Sequence, residues 1–192
     1  MLCGCVVEYH IQHQTNSTVI TLSDQFIHIL HGSKLWIDLI IICHIITVIV
    51  HWRALAGEKK YQDYYIFRDE PEDQIPTNWQ SKFGGPAWEY VPSLKKWYLH
   101  LYDVTQADLN WENPEVRGEL KKVIRFWKNK GIKGFRFDVI NVISKPELFE
   151  DDLEGDGRRF YTDGPHVHEY LKELTRDTGI EDMITVGVPR IM

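Results

Sequence analysis

Charge is scarce at the start of this chain: among the first fifty residues only Glu8, Asp24, Lys34 and Asp38 are charged. Met1 to Ile11 lacks both an early positive region and a small-residue cleavage site, which argues against a secretory signal. The apolar run Leu39 to Val50 is broken by His44 and Thr47 and is shorter than the roughly 20 residues of a membrane span. Its β-branched residues predict a buried strand, with a membrane anchor through Leu35 to Val50 the less favoured reading. Cysteine is also rare, and Cys3, Cys5 and Cys43 are too few and too unevenly placed for a disulfide framework. Cys3, Cys5, His10 and His13 lack the usual zinc-ligand spacing, so no metal site is expected. An excess of basic residues is missing as well. The 22 Lys and Arg face 28 Asp and Glu, and a net charge of −6 excludes the basic footprint of a nucleic-acid binder.

What the chain does contain is a strand that ends in a carboxylate, within Gly134-Phe135-Arg136-Phe137-Asp138-Val139-Ile140-Asn141. Period-two alternation puts Phe135, Phe137 and Val139 on one face and Arg136 and Asp138 on the other. A helix is predicted before it. Asn113 is the cap, Pro114 the first helical residue and Glu115 an acid in the first turn. Val116, Leu120, Val123, Ile124 and Trp127 form its apolar stripe, and Gly131 closes it. Gly164-Pro165 opens a second helix with Val167, Tyr170, Leu171 and Leu174 on its apolar face and Gly179 near its end. Met183 to Gly187 reads as the next strand.

This alternation predicts a parallel β/α arrangement with strands covered on both faces, hence a buried Arg136–Asp138 pair. A guanidinium on the same strand face favours the ionised carboxylate. Such a pair either pins a loop or serves chemistry at a strand tip, where an oriented, ionised Asp is a nucleophile.

Residues 53–105 are rich in aromatics, Gly and Pro, which suits a loop-rich insertion with small sheets. Its rings are expected mainly in the core, although flat aromatic faces also suit sugar rings. In the acidic loop that follows the strand, Arg158 and Arg159 either grip a phosphate or balance Asp151, Asp152, Glu154 and Asp156.

Four segments carry a resemblance. Gly134 to Asp138 resembles the nucleophile-bearing segment of the α-amylase family of retaining glycosidases (glycoside hydrolase family 13). Gln106-Ala107-Asp108-Leu109-Asn110 resembles a second segment, found in its oligo-1,6-glucosidase-like branch. Asn78 to Tyr90 resembles that branch's small inserted domain. Glu150 to Pro165 resembles the branch that hydrolyses trehalose 6-phosphate. The resemblance as a whole covers roughly Arg53 to Gly187.

The resemblance implies an α/β fold, a partial TIM (β/α)8 barrel with an irregular inserted domain; at 192 residues the chain is short of the about 250 of a complete barrel. Residues 106–192 would supply barrel β/α units and 53–105 the insertion. Residues 1–52 would stand in place of early barrel strands. There Asp38-Leu39-Ile40-Ile41-Ile42-Cys43-His44 is a distorted echo of the family's Asp-x-x-x-Asn-His. Agreement recovers abruptly at Arg53, as in translation through shifted reading frames.

The resemblance makes Asp138 the nucleophile, Arg136 its orienting partner, and Arg158 and Arg159 phosphate contacts. It implies no cofactor and no metal, a sugar substrate (trehalose 6-phosphate or another α-glucoside) and a cytoplasmic location. The family places its general acid, a Glu, immediately after the Gly of the next strand. Val188 holds that position here. A retaining glycosidase needs both carboxylates, so the chain is expected to be catalytically silent; the rival readings are an oligo-1,6-glucosidase or α-glucosidase fragment and a non-catalytic sugar-binding or interaction module.

Overall fold

The computed structural model describes residues 36–38 and 50–188. In chain order the elements are β1 (Trp36–Asp38), α1 (Lys59–Gln62), β2 (Phe67–Arg68), β3 (Trp88–Val91), β4 (Lys96–Leu99), α2 (Pro114–Asn129), β5 (Gly134–Asp138), α3 (Arg158–Tyr161), α4 (Val167–Thr178) and β6 (Ile184–Val188). The possible zinc ligands and most of the Leu39–Val50 run lie outside the described residues. Of that run only Val50 is described, and it belongs to a helical turn over residues 50–55, not to a strand.

α2 forms where the caps and periodicity predict. The Asn113 side chain accepts a hydrogen bond from the Glu115 N–H at 2.9 Å, and Pro114 at the first position has no N–H to satisfy. Val116, Leu120, Val123, Ile124 and Trp127 are all buried. Each such side chain contributes about 1.5–3 kcal/mol before the entropy of ordering is subtracted. The stripe packs in one core with Phe135 and Phe137 of β5 and Tyr170 and Leu174 of α4.

On the outer side α2 and α4 are joined by ion pairs. Arg117 meets Glu173 at 2.9 Å, Lys121 meets Asp177 at 2.7 Å, and Lys121 also reaches Glu173. Leu171, placed by periodicity on the apolar face of α4, is only half-buried.

β5 is the central strand of a parallel sheet, in the order β1-β5-β6. Its register sets Asp38 opposite Arg136 on one side and Asp138 opposite Val188 on the other. Val139 does not extend the strand. It takes a left-handed conformation, φ 51°, and the chain turns into a 3-10 helix, Ile140–Val142.

Residues 53–105, the expected insertion, contain an antiparallel sheet, β2-β4-β3. Its aromatics build a second core around Trp79, Trp88, Leu99, Leu101 and Tyr161. Buried indoles need a partner for N–H. Trp79 Nε1 donates to the Glu150 carbonyl at 2.9 Å, and Trp88 Nε1 donates to Thr77 Oγ1 at 2.9 Å. The acidic loop is thereby folded onto the insertion. Gly157, φ 88°, is where the two meet: a Cβ there would lie 2.3 Å from Trp79 Cγ.

Candidate active site

The tip of β5 presents Asp138. Phe135 and Phe137 anchor the strand on its apolar face, and Arg136 and Asp138 take the other. Arg136 Nη2 lies 3.4 Å from Asp138 Oδ1, with side chains 38% and 25% exposed. The pair is therefore partly exposed rather than buried, which corrects the expectation from parallel-sheet burial. Its separation is also longer than the about 2.7–2.9 Å of a charge-assisted hydrogen bond. The Val139 N–H donates to the same Asp138 oxygen at 3.1 Å. A β-branched residue with positive φ is a conformational outlier, and such strain collects at functional sites.

The turn behind Asp138 is held from several directions. Asn141 O accepts from the Asp163 N–H at 2.8 Å, and Ser144 Oγ accepts from the His166 N–H at 3.0 Å. Lys145 Nζ donates to the Val142 carbonyl at 2.5 Å. The same ammonium meets Asp108 Oδ1 at 2.7 Å, with side chains 6% and 13% exposed. Asp108 Oδ2 in turn accepts from the Leu101 N–H at 2.7 Å. Through Asp108, Lys145 thus ties the strand-tip turn to Leu101. The sequence reading did not single out this pair. Asp108 does lie inside a segment that carries the resemblance, and Lys145 follows an apolar run, which were the available signals.

Arg158 and Arg159 sit at the start of α3. Arg159 Nε contacts the buried carboxylate of Asp152 at 3.0 Å and Nη1 contacts Glu154 at 2.9 Å. Burial acts to raise the Asp152 carboxyl. The Glu154 and Gly157 N–H groups and the Arg159 guanidinium outweigh it and hold the carboxyl below its ordinary range. Arg158 Nη2 contacts Asp156 at 3.1 Å. Lys82 lies over the Tyr161 ring, its Nζ 4.9 Å from the centroid. Burial, and then the nearby Arg158 charge, lowers the Lys82 pKa. In the insertion Phe83 is 63% exposed and set edge-on to Tyr102, 5.8 Å between centroids.

A cleft of about 410 Å³ opens beside these elements, between β2 and the segments around Trp111 and Lys145. Among the described residues no three His, Cys, Asp or Glu side chains converge as metal ligands, and no helix is long and apolar enough to cross a membrane.

Residues 13–188 match the family model described as alpha amylase, catalytic domain. The trehalose-6-phosphate hydrolases of Escherichia coli (strain K12) and Bacillus subtilis (strain 168) are 53% and 54% identical over 135 and 132 residues, which is 70% and 68% of this chain and 24% of each relative. An oligo-1,6-glucosidase of Parageobacillus thermoglucosidasius is 46% identical over 139 residues, 69% of this chain and 25% of that protein. The crystal structure of Bacillus licheniformis trehalose-6-phosphate hydrolase superposes with a TM-score of 0.69 at 56% identity, covering 72% of this chain and 26% of that one. The chain thus spans about a quarter of the length of the curated relatives it matches. Its parallel sheet and flanking helices are part of a TIM barrel that does not close among the described residues. The catalytic-domain match over residues 13–188, together with relatives 53% and 54% identical over 70% and 68% of the chain, places the chain in the α-amylase family.

Proposed function

We propose that this chain carries the nucleophile half of a retaining α-glucosidase site of the trehalose-6-phosphate hydrolase type. Asp138 would attack the anomeric carbon and form the glucosyl–enzyme ester, with Arg136 orienting its carboxylate. The observation that carries the reading is the register of β5 and β6, in which Asp138 and Val188 are Cα partners. Neighbouring strands run about 4.8 Å apart, and retaining enzymes hold their two carboxyls about 5–5.5 Å apart. The position where the family has its acid is therefore at the right level beside Asp138. Valine cannot donate a proton, so the chain is silent toward substrates whose leaving group must be protonated.

The phosphotrehalase reading is favoured over the oligo-1,6-glucosidase reading by identities of 53% and 54% against 46%. Of the two arginines, Arg158 suits the phosphate better. It lies close enough to Lys82 to lower that residue's pKa, and an anion would relieve the repulsion between them. Arg159, held by Asp152 and Glu154, would buttress the loop from behind. A phosphorylated sugar cannot cross a bilayer unaided because its charge is costly to desolvate, so a sugar phosphorylated inside the cell stays there, which supports the cytoplasmic reading.

The test uses an aryl α-glucoside whose leaving group departs without protonation. Intact-mass and peptide mass spectrometry should find one glucosyl unit on Asp138 and none in Asp138→Asn. The same protein should release no glucose 6-phosphate from trehalose 6-phosphate. An adduct on another residue, or turnover of trehalose 6-phosphate by the unaltered chain, would overturn the proposal.

A further inference from the structure

We propose that Asp163–Gly164 is a site of spontaneous covalent modification, where the folded chain converts an aspartyl to an isoaspartyl linkage through a succinimide. This goes beyond the reading above and does not depend on Asp138 being a nucleophile. The chain contains two Asp-Gly pairs, Asp156–Gly157 and Asp163–Gly164. Glycine in second place favours the reaction, because without a Cβ its amide nitrogen can approach the preceding carboxyl group. By sequence both pairs qualify, and their surroundings in the fold separate them.

At Asp156–Gly157 both reacting groups are held. Asp156 Oδ1 accepts from the Arg158 N–H at 3.0 Å, and Oδ2 accepts from Arg158 Nη2 at 3.1 Å. The Gly157 N–H donates to the buried Asp152 carboxylate at 3.0 Å. Ring closure at this pair must break these bonds. At Asp163–Gly164 neither group is held. Among the described residues the Asp163 carboxylate has no hydrogen bond or ion pair, and the Gly164 N–H has no acceptor. The Asp163 N–H donates to Asn141 O at 2.8 Å, a bond that involves neither reacting group. Asp163 is also exposed, so water reaches it.

The chemistry needs no reagent but water. The Gly164 nitrogen attacks Asp163 Cγ. A C–N bond forms, and the amide proton leaves with the carboxyl hydroxyl as water. Water then adds to the main-chain carbonyl carbon of Asp163, and the original peptide bond to Gly164 breaks. The chain afterwards runs through Cβ and Cγ, one methylene longer, and the α-carboxylate is free. The fold has no room for that extension. A Cβ on Gly164 would lie 2.3 Å from the Ser144 carbonyl oxygen, and Ser144 Oγ accepts from the His166 N–H at 3.0 Å. The modification therefore loosens the turn behind Asp138 that Asp163 and Ser144 hold.

Ageing the whole chain in mildly acidic buffer, followed by peptide mass spectrometry with electron-transfer fragmentation, locates the isoaspartate. In the folded chain it should accumulate about tenfold faster at 163 than at 156, the cost of breaking one hydrogen bond to a charged group. In urea both pairs lose their partners and the two rates should converge. Arg158→Gln should raise the folded-state rate at 156 about twofold to fivefold, the worth of an exposed ion pair. Asp163→Glu should abolish the product at 163, and ageing should lower the thermal midpoint of the parent but not of this variant. Equal folded-state rates, faster reaction at 156, a preference for 163 that persists unchanged in urea, no rise at 156 in Arg158→Gln, or an isoaspartate-bearing chain with an unmoved midpoint would each overturn the inference. Failure of the glucosyl adduct on Asp138 would not, because isoaspartate reads the turn separately.

Discussion

Asp138 and Val188 are Cα partners on adjacent parallel strands. On the proposed reading these two positions correspond to the nucleophile and the acid of a retaining site. Val188→Glu should restore a proton donor at that level. General acid–base catalysis contributes typically about 10²–10⁴-fold, so release of glucose 6-phosphate from trehalose 6-phosphate should rise from undetectable to measurable. Asp138→Asn in the same background should abolish it. Release that survives Asp138→Asn would show that the strand-tip carboxylate is not the nucleophile.

The Lys145–Asp108 pair links the turn after β5 to the Leu101 N–H, and its side chains are only 6% and 13% exposed. Solvent screening therefore discounts it little. Lys145→Met leaves a buried carboxylate without its cation, a loss of about 3–5 kcal/mol. Lys145→Met combined with Asp108→Asn should recover part of that loss, because the amide oxygen can still accept from Leu101. Urea unfolding of the two variants measures the difference, and equal stability of both would contradict this account.

Gly157 and Gly84 separate two costs of adding a methyl group. Both have positive φ, 88° and 95°, but the Gly157 position faces Trp79 at 2.3 Å and the Gly84 position has nothing within 4 Å. Gly84→Ala should cost only the left-handed backbone term, about 1–2 kcal/mol. Gly157→Ala adds overpacking of about 1–3 kcal/mol. Thermal unfolding should rank the parent first, Gly84→Ala second and Gly157→Ala last.

His51 is buried between the rings of Tyr65 and Tyr98, at centroid distances of 5.2 and 4.9 Å. Its Nε2 has no hydrogen-bond partner among the described residues. Burial lowers its pKa from 6.5. The folded state then binds the proton less readily than the unfolded state. Stability from this group is complete above about pH 6.5 and declines as pH falls below that value toward the folded pKa. The thermal midpoint should drop between pH 7.5 and 5.5 (assay conditions, roughly one unit either side of the free imidazole), and His51→Phe should flatten that part of the profile.

A second, more acidic window belongs to the α2–α4 ion pairs. Burial acts to raise the Glu173 carboxyl, but Lys121 and Arg117 overcome it and hold it below 4.5. Lys121, and then Arg176, hold Asp177 below 3.8. Depressed carboxyl pKa values contribute stability that is full above the unfolded values and lost as pH falls through the folded ones. The chain should therefore weaken further below about pH 4.5. Glu173→Gln should lower stability at neutral pH and reduce the slope in that acid window.

Local physics made α2 legible from the sequence, since Asn113, Pro114 and the Val116–Trp127 stripe act within a few turns of one another. The same holds for β5, whose alternation of Phe135, Arg136, Phe137 and Asp138 assigns faces without reference to any other element. Val139 escaped that reading because periodicity does not say where a strand stops, and its positive φ is imposed by the turn that follows.

Tertiary structure alone decided the rest. The pairing of Asp138 with Val188 joins positions 50 residues apart, and the Lys145–Asp108 contact joins positions 37 apart. The packing of Gly157 on Trp79 and the walls of the cleft likewise draw on segments distant in the chain. Caps and periodicities arise from bonded neighbours and can be read along the chain. Ion pairs, register and cavities depend on how separate segments meet, which no local pattern encodes.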